Sequence, residues 1–210
     1  MTSSSDEPTD ADLVDWMAAG DREAFAALFR RHRATVYRFS KQMLGSKEAA
    51  EDVTQEVFMA LAQNGRQYQP ALGALSTYLY GIARHLVLQR HKRTRSRVEV
   101  DVADLEADRS PALATSIDPL GDLSRAQAIR ELRLAILLLP VHYREAIVLC
   151  ELNGRSYEEA ATIVGCPVGT IRSRLSRGRQ LLTERCRAAR GVRESTEVWK
   201  PCLTPTKNGC

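Results

Sequence analysis

Long apolar runs are missing from this chain: its 210 residues nowhere offer the roughly 18 consecutive apolar positions that a membrane-spanning helix needs. A secretory start is missing too, because Met1 to Asp12 is polar and acidic, with neither a basic opening nor an apolar core. The expectation is a cytoplasmic protein without membrane insertion. Glycine (12 residues) and proline (8 residues) are sparse and aromatics make up 6%, whereas Ala, Leu, Arg and Glu are plentiful. That balance favours helix over sheet. The five cysteines (Cys150, Cys166, Cys186, Cys202, Cys210) are odd in number, widely spaced and free of any C-x-x-C pair. They specify neither a disulfide framework nor a zinc site, and in a reducing compartment they are expected as thiols. Clustered metal ligands and a nucleophile beside a base are also absent from the pattern. No metal, cofactor or catalytic residue is therefore expected, and the chain does not read as an enzyme.

What is present is charge in blocks. The formal net charge is only +4, but its distribution is uneven. Arg84, Arg90, Lys92, Arg93, Arg95 and Arg97 follow one another with no acid between them. Glu99, Asp101, Asp104, Glu106, Asp108, Asp118 and Asp122 then face Arg109 alone, and a second basic block runs from Arg172 to Arg190. Two basic surfaces around an acidic connection suggest two contacts with a polyanion. Ordinary solvated helix faces explain this less well, because acids are missing where i,i+4 pairing would use them.

Hydrophobic periodicity and stop signals give the organisation. A helix starts near Asp10 or Asp12. Asp21 caps a second that carries Phe25, Leu28, Phe29, Val36, Phe39 and Met43 and stops at Gly45. Ser46 caps a third, to about Gln63, ended by Asn64-Gly65. Arg66 to Ala74 reads as a loop, and a further helix from Leu75 enters the first basic run. Helical patterning resumes at Ser124 and ends at Pro140. His142 to Leu152 follows, then a short helix opened by the capping-box pair Ser156 and Glu159, then a Gly165-Cys166-Pro167 turn and a last helix. The fold class expected is all-α: two small helical domains joined by a flexible acidic linker, the second a four-helix domain with a helix-turn-helix. The boundaries are a disordered tail at 1–11, a first domain at 12–97, a linker at 98–123, a second domain at 124–190 and a disordered tail at 191–210.

Ser156 to Leu182 fits a helix-turn-helix, two short helices around a tight glycine-containing turn. At 100° per residue, Val168, Ile171, Leu175 and Leu182 share the inner face of the last helix. Thr170, Ser173, Arg174, Ser176, Arg177 and Gln180 lie opposite, with Arg172 and Arg179 at the borders, and no acid intervenes before Glu184. Arginine forks and small hydroxyls suit base edges and phosphates of duplex DNA. On the third helix Val53, Val57, Phe58, Ala60 and Leu61 form the core side, while Asp52, Gln55, Glu56 and Met59 form an acidic strip suited to a basic protein surface.

Three stretches carry a family likeness. Asp52-Val53-Thr54-Gln55-Glu56-Val57-Phe58 resembles the D-x-x-Q-E-x-F signature of extracytoplasmic-function (ECF) sigma factors of bacterial RNA polymerase. Ser76 to Arg84 resembles their T-W-L-Y-x-I-A segment, and Cys166 to Arg179 resembles their promoter-reading helix. Gly20 to Phe25 fits their opening. The likeness spans about Asp12 to Arg187 and departs at Tyr78, where the family commonly has Trp, and at His85, where it commonly has Asn.

The resemblance implies a division of labour. Asp52, Gln55, Glu56 and Met59 would dock on the core polymerase, at the clamp helices of the β′ subunit, with the β subunit a further contact. Asn64, Tyr68, Tyr78, Arg84, His85, Arg90 and Arg93 would hold the melted −10 element of promoter DNA, with Tyr80 a further stacking group. Thr170, Arg172, Ser173, Arg174, Ser176, Arg177 and Arg179 would read the −35 element, and an anti-sigma factor is implied as a possible partner. The alternative of a stand-alone helix-turn-helix regulator explains the second basic block but neither the first block nor the acidic strip.

Overall fold

The computed structural model describes residues 7–94 and 119–197, with side chains over 7–93 and 126–187. Every regular element among the described residues is helical. The first domain holds α1 (Asp10–Ala18), α2 (Arg22–Leu44), α3 (Lys47–Asn64) and α4 (Leu75–Thr94); the second holds α5 (Pro119–Leu137), α6 (Val141–Ala146), α7 (Tyr157–Val164) and α8 (Val168–Glu197). Short-range chemistry sets most of these limits. The Asp21 carboxylate accepts from the Glu23 and Ala24 amides, the Ser46 hydroxyl accepts from Ala49, and Gly45 closes α2 in the left-handed region at φ 80°.

Several limits differ from expectation. Thr9 caps α1 in a capping box with Asp12, and Arg31 holds the segment before it through Asp10 at 2.6 Å and Glu7 at 3.1 Å. Helix α5 begins at Pro119, inside the span expected as linker, and α8 runs unbroken to Glu197, past the expected end at 190. The rest of the linker (98–118) and of the tail (198–210) lies outside the described residues. The segment expected as one helix over His142–Leu152 is α6 followed by a wide π turn, Ile147–Leu152.

In the first domain α2 is the central helix, packed on α1, α3 and α4. Leu28, Val36, Phe39 and Met43 meet Val53, Val57, Phe58 and Leu61 of α3 and Leu75, Leu79, Ala83 and Val87 of α4. Phe29 stands edge-on to Phe58 with ring centres 4.8 Å apart, a geometry aromatic quadrupoles favour. In the second domain Ile171 and Leu175 of α8 are buried among Ile147, Leu149, Ala160 and Val164.

The two domains also pack on each other, α4 against α7 and the end of α2 against α5 and the π turn. Arg144 donates to the carbonyls of Met43 (2.7 Å), Leu139 (3.1 Å) and Leu137. It thus satisfies main-chain acceptors that helix termination leaves open on both sides. Burial pulls its pKa down to about 10, which keeps it charged at neutral pH. Gly45 permits the same approach: a Cβ there would stand 2.8 Å from Leu137 Cδ1.

Candidate polymerase and promoter surfaces

Three surfaces collect the residues singled out from sequence. The first is the outer face of α3. Asp52, Gln55, Glu56 and Met59 are all exposed, Met59 at 59%, while Val53, Thr54, Val57 and Phe58 between them are buried. Arg90 of α4 lies against this strip, 2.5 Å from Glu56 and 3.6 Å from Asp52, and also donates to the Ala49 carbonyl. The acidic strip and one expected −10 contact are therefore neighbours. The strip carries its own partial counter-charge.

The second surface is a cleft of about 640 Å³ beside α4, lined by Tyr68, Leu72, Gly73, Tyr78, Ile82 and His85 from the first domain and by Thr162 and Ile163 of α7. The loop between α3 and α4 is two 3-10 turns, Gly65–Gln67 and Pro70–Leu72. Tyr68 anchors it by donating to the Gly73 carbonyl at 3.1 Å and packs 5.7 Å from the Tyr78 ring. Burial, reinforced by Asp10, pushes the Tyr68 phenol up, so it remains a proton donor. Asn64 and Arg93 are exposed, and His85 is exposed beside Gln89 at 2.8 Å. Arg84 instead turns to the second domain and meets Glu145 at 2.7 Å. Tyr80 is no surface stacking group: it is 1% exposed, edge-on to Phe39 in the core.

The third surface is the helix-turn-helix. Ser156 and Glu159 form the reciprocal capping box, Gly165 ends α7 at φ 71°, and the Pro167 carbonyl accepts from Thr170, which places Pro167 just before the first residue of α8. Arg172, Ser173, Ser176, Arg177 and Arg179 are exposed, and Thr170 and Arg174 are half-buried. Arg172 lies over the Tyr157 ring at 5.8 Å, Arg177 donates to Gln180 at 3.2 Å, and Arg179 pairs with Glu151. Those partners orient the guanidinium groups. Tyr157 and Glu151 went unnoticed in the sequence, although Tyr157 adjoins the cap.

Sequence reasoning also missed the charged set at the domain contact, Arg144, Glu145 and Arg155. No local signal marks it, since an arginine and a glutamate within a helix ordinarily read as solvent-facing. Among the described residues no group of three or more His, Cys, Asp or Glu side chains is placed to hold a metal ion, and no helix is long and apolar enough to cross a membrane.

Each of the two helical domains, the one with the acidic strip and aromatic cleft and the one with the basic helix-turn-helix, is matched by a family model. The model of Sigma-70 region 2 matches residues 28–97, and that of Sigma-70 region 4 matches residues 129–182. The ECF RNA polymerase sigma factor SigE of Mycolicibacterium smegmatis is 37% identical over 183 residues, covering 86% of this chain and 68% of that protein. The ECF RNA polymerase sigma-E factor of Escherichia coli K12 is 33% identical over 184 residues, covering 85% and 94%. Among solved structures, the sigma factor RpoE of Bartonella quintana, in complex with the anti-sigma factor NepR, is similar at a TM-score of 0.61 and 27% identity, over 78% of this chain and 96% of that one. The chain belongs to the ECF family of RNA polymerase sigma factors. It is a transcription-initiation factor that works with core polymerase on promoter DNA, and not a stand-alone regulator.

Proposed function

We propose that the residues divide the work of initiation as follows. The strip of Asp52, Gln55, Glu56 and Met59 docks on the clamp helices of the polymerase β′ subunit, where rigid backbone presentation and complementary charge favour a specific register. The cleft of Tyr68, Tyr78 and His85 takes the melted −10 strand, with Asn64 and Arg93 exposed for its flanks and Arg84 and Arg90, paired in this structure with Glu145 and Glu56, as further cations. An unstacked base costs energy to extrude, and an aromatic pocket with nearby cations recovers part of it by stacking and phosphate attraction. Arg172, Ser173, Ser176 and Arg177, flanked by Thr170, Arg174 and Arg179, read the −35 element in the major groove. The first domain runs from α1 to α4 and the second from α5 to α8, and the acidic segment that joins them crosses the polymerase near its RNA exit path and meets the β subunit.

The observation that carries this reading is the placement of opposite chemistries on separate domains: an exposed acidic strip on α3 and an acid-free, small-plus-basic face on α8. The protein acts by binding and by stabilising strand separation, without bond chemistry of its own, and works in the cytoplasm where core polymerase is. An anti-sigma protein is a further partner, as NepR is for the RpoE of B. quintana. Reconstitution with bacterial core polymerase tests the reading. The chain should co-purify with core and direct initiation at a promoter with two upstream elements. Specific duplex binding without core association would reject it.

A further inference from the structure

Helix α2 carries a basic tract that none of the three surfaces above absorbs. From Ala24 to Lys47 the chain has no acid, against six cations, Arg30, Arg31, Arg33, Arg38, Lys41 and Lys47. That equals the run from Arg84 to Arg97 in number. Part of the tract is spent internally. Arg31 holds Asp10 and Glu7, Lys47 stands 4.0 Å from Glu51, and Arg33 lies over the Phe29 ring at 5.9 Å. The rest stays outside. At 100° per residue, Arg22, Arg30, Arg33, Arg38 and Lys41 fall on the half of α2 turned away from Leu28, Val36, Phe39 and Met43. The four arginines are exposed and Lys41 is half-buried. Among the described residues, no ion pair joins Arg22, Arg30, Arg38 or Lys41 to an acid. Like charges three residues apart, as in Arg30 with Arg33 and Arg38 with Lys41, weaken a helix. The fold has no use of its own for this pattern.

The chemistry of the face selects its ligand. Between the cations stand Ala26, Ala34 and a half-buried Tyr37, so the guanidinium forks project from low relief. Such forks match the oxygens of a phosphate. A protein partner would need an apolar anchor near the centre of the contact. None of the exposed large apolar side chains among the described residues lies on α2, whereas Met59 marks the strip on α3. A single strand would need exposed rings for its bases to stack on. Phe25, Phe29 and Tyr37 are all half-buried. What fits is the backbone of a duplex, which asks for charge and close approach and for no ring or apolar pocket. Arg22 to Arg38 covers about 24 Å of helix, the rise of about seven base pairs. The face lies opposite the side through which α2 packs on α3 and α4, so a duplex there leaves the acidic strip and the cleft free.

We infer that the outer face of α2, through Arg22, Arg30, Arg33 and Arg38, is a phosphate-binding surface for duplex promoter DNA that grips the backbone without reading bases. The inference rests on the chain's work on promoter DNA and is independent of which residues serve the −10 and −35 elements.

The test uses holoenzyme, the full chain bound to core polymerase, and a fluorescent promoter duplex titrated at several salt concentrations from about 0.05 to 0.2 M. Arg30→Gln with Arg38→Gln removes two charges and keeps good helix formers. Its affinity should fall to the same extent on promoters of different sequence. The slope of log affinity against log salt should become shallower by about 2, the share of two phosphate contacts, so the gap from wild type narrows roughly tenfold across that range. Arg30→Lys with Arg38→Lys should keep most of the wild-type slope, because an ammonium still binds phosphate as a point charge. Core affinity and helical content should match wild type in both variants. A wild-type slope in the Gln variant overturns the inference. So does a loss that depends on promoter sequence, which marks a base contact. Weaker core association with wild-type DNA affinity also overturns it and makes the face a protein contact.

Discussion

Arg90 of α4 lies 2.5 Å from Glu56 of α3, so a cation from the basic run sits directly on the acidic strip of the same domain. The pair is half-exposed, and an exposed pair of this kind contributes little to stability. Its consequence is for recognition: Arg90 holds the Glu56 carboxylate in one place and lowers the net charge that a partner meets.

Charge reversal on that strip should therefore act on binding more than on folding. Glu56→Arg or Asp52→Arg should weaken core polymerase association by roughly tenfold or more, since like charge at a complementary contact is costly. Helical content should be unchanged, because both positions face solvent. Competition binding to core polymerase measures it, and wild-type affinity in both variants would remove the strip from the docking role.

On the second domain, Arg177 is exposed and is steadied by Gln180 at 3.2 Å. Arg177→Ala should flatten discrimination among upstream-element variants by about 1–3 kcal/mol if the fork makes a bidentate base contact. Holoenzyme binding to a panel of upstream sequences reads this directly. A uniform loss across all sequences would make Arg177 a phosphate contact instead.

Stability of the helix-turn-helix should depend on its cap. The Ser156 hydroxyl accepts from the Glu159 amide at 3.1 Å while Glu159 accepts from the Ser156 amide at 2.8 Å. Ser156→Ala should cost about 1 kcal/mol, seen as a lower thermal midpoint, and Ser156→Asp should restore most of it. No change on removing the hydroxyl would mean that another acceptor takes over the α7 amides.

The domain contact should respond to acid. His91 lies 3.2 Å from the Met43 carbonyl and 3.3 Å from Arg144, and burial together with that arginine holds its pKa below the ordinary histidine value. A depressed value means that the unfolded or separated chain takes up the proton first as pH falls. The contribution of neutral His91 is complete above about pH 6.5 and fades as pH drops from there through the lower folded value. The thermal midpoint should fall more steeply between pH 7.5 and 5.5 in wild type than in His91→Gln. Identical slopes would assign the acid response to other groups.

How much of this was legible beforehand differs by the range of the force involved. The caps Asp21, Ser46 and Ser156, the stops Gly45 and Gly165, and the inward faces of α3 and α8 each follow from residues within about one helical turn, so periodicity and turn chemistry reached them. The sorting of α3 into a buried side and an Asp52–Met59 strip held at Val53, Val57, Phe58 and Leu61 and along the strip, but Ala60, expected in the core, is only half-buried, and Thr54 is buried, its hydroxyl turned onto the Ala50 carbonyl at 2.7 Å. The extension of α8 to Glu197 was not legible, because the tail lacks the apolar period that would have announced a helix.

The sequence alone, then, determined the capped helices of both domains, the two-domain plan and the family, because these rest on local spacing and on motifs of a few residues, but not where α5 begins, where α8 ends or that Ile147–Leu152 is a π turn. Only the tertiary structure decided which charges are spent internally. Arg84 and Glu145 are 61 residues apart in the chain, and Arg144 and Met43 are 101 apart. Whether such groups face water or each other depends on how two finished domains meet. That is settled by long-range packing and desolvation, which no window along the chain contains.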